Sequence, residues 1–135
     1  MGIELTARVR AIPVARTAED VAWLAGRLEK FFAGATNAIY APVGGDENPV
    51  TVLQDVEART VWMPEDAGVI MRTSGSTTGS GRLVGLSAAQ MRASAAATEA
   101  RLGGPCSWVL ALAPHHIAGL QVVARALLSE REVVT

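Results

Sequence analysis

Several residue types that decide where and how a protein works are scarce in this sequence. The only cysteine, Cys106, excludes an internal disulfide, and because the only histidines are His115 and His116, a structural zinc site is not expected. Lys30 is the only lysine among twelve basic residues, so a task that lysine usually performs must fall to arginine. No apolar run approaches a membrane span, and residues 1–6 lack the apolar core of a signal peptide. We therefore predict a soluble, cytoplasmic protein without integral membrane contact.

An excess of either charge is also missing, and this balance bears on the partners. The formal net charge is −1, so no electrostatic feature favours binding to nucleic acid or to an anionic membrane. Half of the 135 residues are hydrophobic, which is enough for the core of one domain. Residues 132–135 place two valines after a charged turn, as if a strand were beginning. We expect the chain to be part of a longer protein.

Helix caps and apolar runs predict an alternation of helices and strands. Thr17 and Ser87 are typical helix N-caps, and the predicted helices cover 17–34, 87–103 and 116–129. Apolar runs predict strands at 39–43, 67–71, 83–86 and 108–113, with 50–56 at best a weak strand. The expected core includes the larger apolar side chains Trp23, Phe31, Phe32, Trp108, Leu110 and Leu112. Strands that alternate with helices indicate an α/β layer architecture.

The most informative stretch is 72–86, where glycines and hydroxyl side chains separate two apolar runs and Arg82 adds a cation. Glycine lets the backbone turn, and hydroxyl and guanidinium groups are hydrogen-bond donors. Such a loop between two strands can direct its N–H groups at an anion, and a polyphosphate suits it best. The Walker pattern is excluded because position 80 is serine and no Gly-Lys pair follows, and Val84 breaks a dinucleotide-binding pattern. A flexible Ser/Gly turn is the alternative.

Two adjacent histidines follow the predicted strand 108–113 and precede a predicted helix. In parallel α/β sheets, ligands bind at this end of the strands. Taken alone, His115 or His116 is more simply explained as a capping or core residue. Cys106, beside a Gly-Pro pair, is explained as a small apolar filler. The histidines gain meaning only together with the loop.

The loop and the histidines together resemble the acyl-adenylate-forming enzymes. Residues 73–82 read Thr-Ser-Gly-Ser-Thr-Thr-Gly-Ser-Gly-Arg, and the phosphate-binding signature of that family normally reads Thr-Ser-Gly-Ser-Thr-Gly-x-Pro-Lys. Further along, residues 116–119 match the family's Pro-x-x-His-x-x-Gly element, with the proline shifted to Pro114. The loop has one extra threonine, and Gly-Arg replaces Pro-Lys. Residues 86–105 and 115–121 look most like the o-succinylbenzoate–CoA ligases of menaquinone biosynthesis.

The resemblance implies that residues 1–135 form the N-terminal portion of an AMP-binding domain, with a mixed sheet flanked by helices and the adenine-binding half and C-terminal lid missing. In the family reaction, a carboxylate attacks the α-phosphate of ATP and releases pyrophosphate, and the CoA thiolate then attacks the acyl-adenylate. The implied partners are ATP, Mg²⁺ carried by the nucleotide, CoA and a carboxylic acid, with no metal ligand on the chain. We expect the chain by itself to lack ligase activity.

By the same resemblance, the β- and γ-phosphates would be enclosed by the loop residues Thr73, Ser74, Gly75, Ser76, Thr77, Thr78 and Gly79. Arg82 would have a catalytic role and stand in for the lysine of the family's loop. His116 would act near the reacting centre and line the carboxylate pocket, and Gly119 would permit close approach of the substrate. These assignments rest on the family pattern and not on spacing alone.

Three alternatives stay open at this point. The acid could be another aromatic or aliphatic carboxylate, because the residues that shape the acyl pocket lie mostly further along the family sequence. The chain could instead be a non-catalytic remnant or a partner-binding module, which the altered loop favours. It could also be an unrelated α/β domain with an ordinary Ser/Gly loop. The sequence leaves open whether the chain forms a homo-oligomer.

Overall fold

Strands and helices alternate along the part of the chain that the computed structural model describes, residues 8–59, 63–73 and 81–135. In chain order, the elements are β1 (Val9–Val14), α1 (Ala18–Phe32), β2 (Ile39–Gly44), α2 (Pro49–Arg59), β3 (Ala67–Arg72), β4 (Leu83–Ser87), α3 (Ala88–Leu102), β5 (Trp108–Val109), α4 (Ile117–Leu128) and β6 (Val133–Val134). Within these residues, no helix is both long and apolar enough to cross a membrane.

The main sheet has four strands in the order β1-β2-β3-β4. The first three strands are parallel, and β4 runs antiparallel to β3, with Arg72 opposite Leu83. A smaller parallel sheet pairs β5 with β6. The predicted mixed sheet is confirmed. Strand β1 was not predicted, because its alternating exposed positions and Pro13 weaken the apolar signal; proline is tolerated here because β1 lies at the edge of the sheet.

Helices cover both faces of the main sheet. Successive strand residues point to opposite faces, so Tyr40 and Val69 join one cluster while Ile39 and Ile70 join the other. The first cluster is covered by residues of α1, α3 and α4, and the second by Val52 and Val56 of α2. This layering confirms the α/β architecture.

Helix α1 begins and ends as predicted. The Thr17 hydroxyl accepts a hydrogen bond from the Asp20 N–H at 3.2 Å, and the Asp20 carboxylate accepts one from the Ala15 N–H at 2.8 Å. This pair of contacts satisfies two otherwise unpaired donors at the helix start. The buried residues recur at helical spacing, as Val21, Leu24, Leu28 and Phe31.

Helix α3 also follows the prediction. Ser87 and Gln90 form a reciprocal capping box, with N–H to side-chain distances of 2.9 and 3.1 Å. At the other end, Gly103 takes a left-handed conformation with φ 88°, which stops the helix. Both ends were therefore encoded locally.

The prediction of a weak strand at 50–56 was wrong, because this segment lies inside helix α2. The Asn48 side chain accepts hydrogen bonds from the N–H groups of Val50 and Thr51 and so caps the helix, and Pro49 occupies the first helical position. Val52 and Val56 lie four residues apart and pack on the sheet. Their tertiary contacts outweigh the strand preference of β-branched residues.

The predicted strand 108–113 is mostly wrong as well. Only Trp108–Val109 is strand, and the chain then leaves the sheet. Leu110 is buried as expected, but Leu112 is 51% exposed. Trp23 is 38% exposed rather than in the core, and the Arg27 guanidinium lies 3.4 Å from the centre of its ring. Phe31 is buried and Phe32 packs against the core, as expected.

Candidate functional site

Three chain segments meet at the carboxyl edge of the parallel strands. Strand β2 ends at Gly44 and the parallel strand β3 ends at Arg72, so the residues that follow them leave from the same edge. The turn 113–116 that precedes α4 reaches this edge too, because the His115 ring packs against Gly44. The edge therefore brings together the start of the glycine-rich loop and the histidine pair.

The base of the loop is closed by two hydrogen bonds between Thr73 and Arg82, of which one joins backbone groups and the other ends at the Thr73 hydroxyl. The Thr73 N–H donates to the Arg82 carbonyl at 2.9 Å, and the Arg82 N–H donates to Thr73 Oγ1 at 2.7 Å. Arg59 on α2 donates to the Gly81 carbonyl at 2.9 Å. The Arg82 side chain itself is exposed. The two predicted site residues therefore lie side by side where the loop leaves the sheet.

Gly81 is needed at this closure for a steric reason. Its φ is 69°, a left-handed conformation that favours glycine. A Cβ atom built on Gly81 would lie 2.2 Å from the carbonyl oxygen of Thr73. The glycine in the Gly-Arg pair, where the family has proline, is thus required by this turn.

Most of the predicted phosphate-binding loop lies outside the described residues. The residues concerned are Ser74, Gly75, Ser76, Thr77, Thr78 and Gly79. Their assignment to phosphate binding stays a prediction. Thr73 and Arg82 mark the two points from which the loop departs.

His116 is the N-cap residue of α4, with φ −102° and ψ 153°, and its side chain makes no capping hydrogen bond. The ring is exposed, and its centre lies 4.1 Å from that of His115, which is partly buried. No hydrogen bond or ion pair within the described ranges joins His116 to Thr73 or Arg82. The role of His116 at the reacting centre stays a prediction.

Gly119 is buried and faces the preceding turn. A Cβ atom built on Gly119 would lie 2.2 Å from the Ala113 carbonyl oxygen. This close approach of α4 to the turn explains the glycine by packing. Substrate contact by Gly119, which the family pattern implies, stays a prediction beside this structural reason.

An ion pair that was not predicted lies at the same edge. Arg72 Nη1 and Nη2 donate to Glu47 Oε2 and Oε1 at 2.8 and 2.7 Å, and the Gly44 N–H donates to Oε1 at 2.9 Å. The hydrogen bonds from Arg72 lower the pKa of Glu47 to about 2, and the same contacts raise the pKa of Arg72. One signal was available, since both residues closely follow predicted parallel strands.

His115 adds an imidazole to this ion pair. Its Nε2 lies 4.0 Å from Glu47 Oε1. Burial lowers the pKa of His115, and the neighbouring His116 and Arg72 lower it further, whereas Glu47 and Asp46 oppose the decrease. The lowered pKa favours the uncharged ring, which can both accept and donate a hydrogen bond.

The site is rich in donors for an anion and poor in ligands for a metal. In the part of the chain that the structure describes, no group of three or more His, Cys, Asp or Glu residues could hold a metal ion. At the loop base, the Thr73 hydroxyl can still donate its own hydrogen and the Arg82 guanidinium is exposed, and both groups are typical partners of phosphate.

No protein-family model matches the chain, but comparison with curated proteins finds relatives. A protein of Mycobacterium tuberculosis named Probable 2-succinylbenzoate–CoA ligase is 37% identical over 102 residues, which are 76% of this chain and 25% of the relative. The chain therefore spans about a quarter of the length of the curated relatives that it matches.

Solved structures show the same fold. The O-succinylbenzoate coenzyme A synthetase of Bacillus subtilis, in complex with ATP and magnesium, has a TM-score of 0.68 at 17% identity, over 95% of this chain and 44% of that chain. ATP-bound MatB from Rhodopseudomonas palustris has a TM-score of 0.61 at 16% identity, over 95% of this chain and 34% of that chain. The resemblance to the acyl-adenylate-forming ligases is confirmed, with the o-succinylbenzoate–CoA ligases as its sequence relatives.

Proposed function

We propose that the chain provides the phosphate-binding part of an ATP-dependent acid–CoA ligase. Its fold, which it shares with the acyl-adenylate-forming ligases, supports this proposal. The complete reaction would join a carboxylate to AMP with release of pyrophosphate and then transfer the acyl group to CoA. Residues 1–135 would form the N-terminal portion of the AMP-binding domain. The chain by itself would not turn over, because the adenine-binding and lid motifs that the family uses have no counterpart in this sequence.

One observation carries this proposal: the loop base closed by Thr73 and Arg82 lies at the carboxyl edge of β3. Ligands of open α/β sheets bind at that edge. From this base, residues 73–79 would direct N–H and hydroxyl groups at the β- and γ-phosphates. The loop sequence and the position of its two ends both favour a polyphosphate over a neutral ligand.

Arg82 would provide the permanent charge that the family takes from lysine. Negative charge moves onto the pyrophosphate leaving group when the carboxylate attacks, so a cation placed there in advance lowers the barrier. A guanidinium can donate two parallel hydrogen bonds to phosphate oxygens, whereas an ammonium acts as a point charge. The exposure of the Arg82 side chain leaves it free to reach a nucleotide.

His116 would line the pocket of the acid near the α-phosphate, with Gly119 behind it. Magnesium would arrive with the nucleotide, where it neutralises phosphate charge, because the described residues contain no acidic cluster for it. CoA would be the second co-substrate, and this chain offers no residue that we assign to it. The acid would be o-succinylbenzoate, as the names of the sequence relatives suggest.

Equilibrium binding of MgATP to the 135-residue chain tests the proposal. Titration calorimetry should detect binding, and Arg82→Ala should weaken it by about 10-fold or more, since a charge-assisted hydrogen bond contributes about 1.5–3 kcal/mol. Arg101→Ala is the matched control, because Arg101 is exposed at the far end of α3. If the chain binds no MgATP, or Arg82→Ala binds as tightly as the wild type, the assignment of the loop fails.

The substrate needs a separate assay of the complete ligase. Pyrophosphate release with ATP, CoA and o-succinylbenzoate should exceed release with benzoate or a fatty acid. Turnover with another acid alone would keep the reaction class and replace the substrate. Robust turnover by the 135-residue chain alone would contradict the proposal that this chain provides only the phosphate-binding part of the ligase.

A further inference from the structure

The carboxylate of Glu47 contacts all three segments that meet at the edge of the sheet. It accepts two hydrogen bonds from Arg72 at the end of β3 and one from the Gly44 N–H at the end of β2. Its Oε1 lies 4.0 Å from Nε2 of His115 in the turn before α4. One side chain thus joins the ends of two parallel strands and lies beside the histidine pair.

The geometry holds this carboxylate in one place. Both of its oxygens are engaged, and the side chains of Arg72 and Glu47 are only 21% and 32% exposed. A bidentate pair of this kind has few alternative arrangements. A partly buried ion pair is weak evidence for stability by itself, because removing both charges from water offsets much of the attraction. Its position at the base of the loop calls for a further explanation.

Arg72 immediately precedes Thr73, so holding the Arg72 side chain also restrains the backbone from which the loop departs. Thr73 in turn pairs with Arg82 through two hydrogen bonds. On the other side, the His115 ring packs against Gly44, and its centre lies 4.1 Å from that of the tilted His116 ring. Thr73 therefore adjoins a residue that Glu47 binds, and Arg82 pairs with Thr73. His116 adjoins His115, which lies beside Glu47, and Gly119 follows in α4.

We propose that Glu47 is a positioning residue of the candidate ATP site, which holds the base of the phosphate-binding loop, through Arg72, in a fixed relation to the turn that carries His115 and His116. This inference rests on the proposed function. Glu47 touches no reacting atom in it. With the carboxylate gone, the loop base and the turn would separate more freely, and binding a nucleotide would have to restore their order.

A competing role predicts the opposite result. If Glu47 merely neutralised Arg72, removing the carboxylate would release a second cation beside the loop, and MgATP would bind more tightly. The positioning role predicts weaker binding despite the added positive charge. The sign of the change therefore separates the two roles.

The first experiment measures MgATP binding to the full chain and to Glu47→Gln, Arg72→Met and the double variant by titration calorimetry. We expect each single variant to bind about 3- to 10-fold more weakly, since ordering side chains on binding costs affinity of that size. We expect the double variant to be no weaker than the worse single variant, because both substitutions break one connection. Glu65→Gln is the control, an exposed carboxylate at the turn before β3.

The second experiment follows His115 by NMR and requires no nucleotide. The charged and titratable groups that face this ring are Asp46, Glu47, Arg72 and His116. Because Glu47 raises the pKa of His115 and Arg72 lowers it, Glu47→Gln should lower that pKa and Arg72→Met should raise it. If Glu47 and Arg72 did not act on the turn that carries His115, neither substitution would change the pKa of His115. Glu65→Gln, the control, should leave that pKa unchanged.

The outcomes separate this inference from the proposed function. If the wild-type chain binds no MgATP, both the proposed function and the positioning role are overturned. The NMR shifts would then still establish that Glu47 lies close to His115. Normal MgATP binding that Glu47→Gln leaves unchanged or tightens overturns the positioning role alone. Glu47→Asp is the second variant if Glu47→Gln does not fold, because it keeps the charge on a shorter side chain. It should weaken MgATP binding and change the pKa of His115 less than Glu47→Gln would. Unchanged MgATP binding by Glu47→Asp overturns the inference.

Discussion

Different forces hold the two parts of the candidate site in place. One part is the hairpin of β3 and β4, from which the loop departs, and the other is the turn 113–116, which carries the histidines. The hairpin base relies on polar contacts: the Thr73–Arg82 hydrogen bonds and the Arg72–Glu47 ion pair. The turn relies on packing, with Pro114 fully buried and Gly119 against the Ala113 carbonyl. Changes in volume should therefore disturb the turn most, and changes in charge or pH should disturb the hairpin.

The largest effect is expected for Gly119→Ala. The added Cβ would lie 2.2 Å from the Ala113 carbonyl oxygen, so α4 must shift. We expect a loss of about 3 kcal/mol in the free energy of unfolding, measured by urea denaturation. Gly26→Ala is the control, because a Cβ there meets nothing within 4 Å and should stabilise α1 by up to about 1 kcal/mol. Equal effects of the two substitutions would contradict the packing account of the turn.

Gly81→Ala should have the next largest effect. It combines a φ of 69° with a Cβ only 2.2 Å from the Thr73 carbonyl oxygen, and we expect a loss of about 2 kcal/mol. Gly103→Ala shares the positive φ but has open space around the Cβ, so it should cost only about 1 kcal/mol. MgATP binding measured on both variants should fall for Gly81→Ala alone. If Gly103→Ala also lost MgATP binding, the loss in Gly81→Ala could not be attributed to the hairpin base.

Glu47→Gln should lower stability by about 1 kcal/mol at pH 7, a modest value because the pair is partly exposed. The pKa of Glu47 falls from 4.5 to about 2 on folding, so its contribution is present above pH 4.5 and is lost as the pH falls toward 2. Urea denaturation of both proteins across this range should show the difference shrinking. A difference that stays constant with pH would contradict the ion pair.

The smallest effect is expected for Thr73→Val, which removes the acceptor of the Arg82 N–H at the loop base. The group is exposed, so water can replace the hydroxyl, and we expect a loss of about 0.5 kcal/mol. Thr51→Val, on the exposed side of α2, is the control. The comparison sharpens if MgATP binding falls for Thr73→Val much more than stability does, since the hydroxyl also belongs to the proposed phosphate site.

Much of the fold could be predicted because its signals are local. The caps at Thr17 and Ser87 and the apolar spacing in α1 and α4 depend on residues close in sequence, and each prediction is confirmed. Helix α2 was misread because Val52 and Val56 suit a strand by intrinsic preference, and their contacts with the sheet act together with the Asn48 cap to make the helix. Leu112 was misplaced since hydrophobicity does not determine which side of a turn faces the core.

The candidate site divides in the same way. Thr73, Arg82, His116 and Gly119 were proposed as site residues because the order and type of residues in two motifs carry a family resemblance, and their roles stay predictions. Glu47 and His115 were missed or left aside, because their meaning depends on contacts across 25 or more residues. Spacing in the sequence does not encode which charged side chains will meet at a sheet edge.

The residues alone determined the helices α1, α3 and α4 and the motif of the loop, because propensity, capping and glycine conformation act over a few neighbouring positions. Only the tertiary structure decided that the ends of β2 and β3 and the turn before α4 share one edge. It also decided that Glu47 joins them, since strand pairing and ion pairing are set by distances in space between segments far apart in the chain.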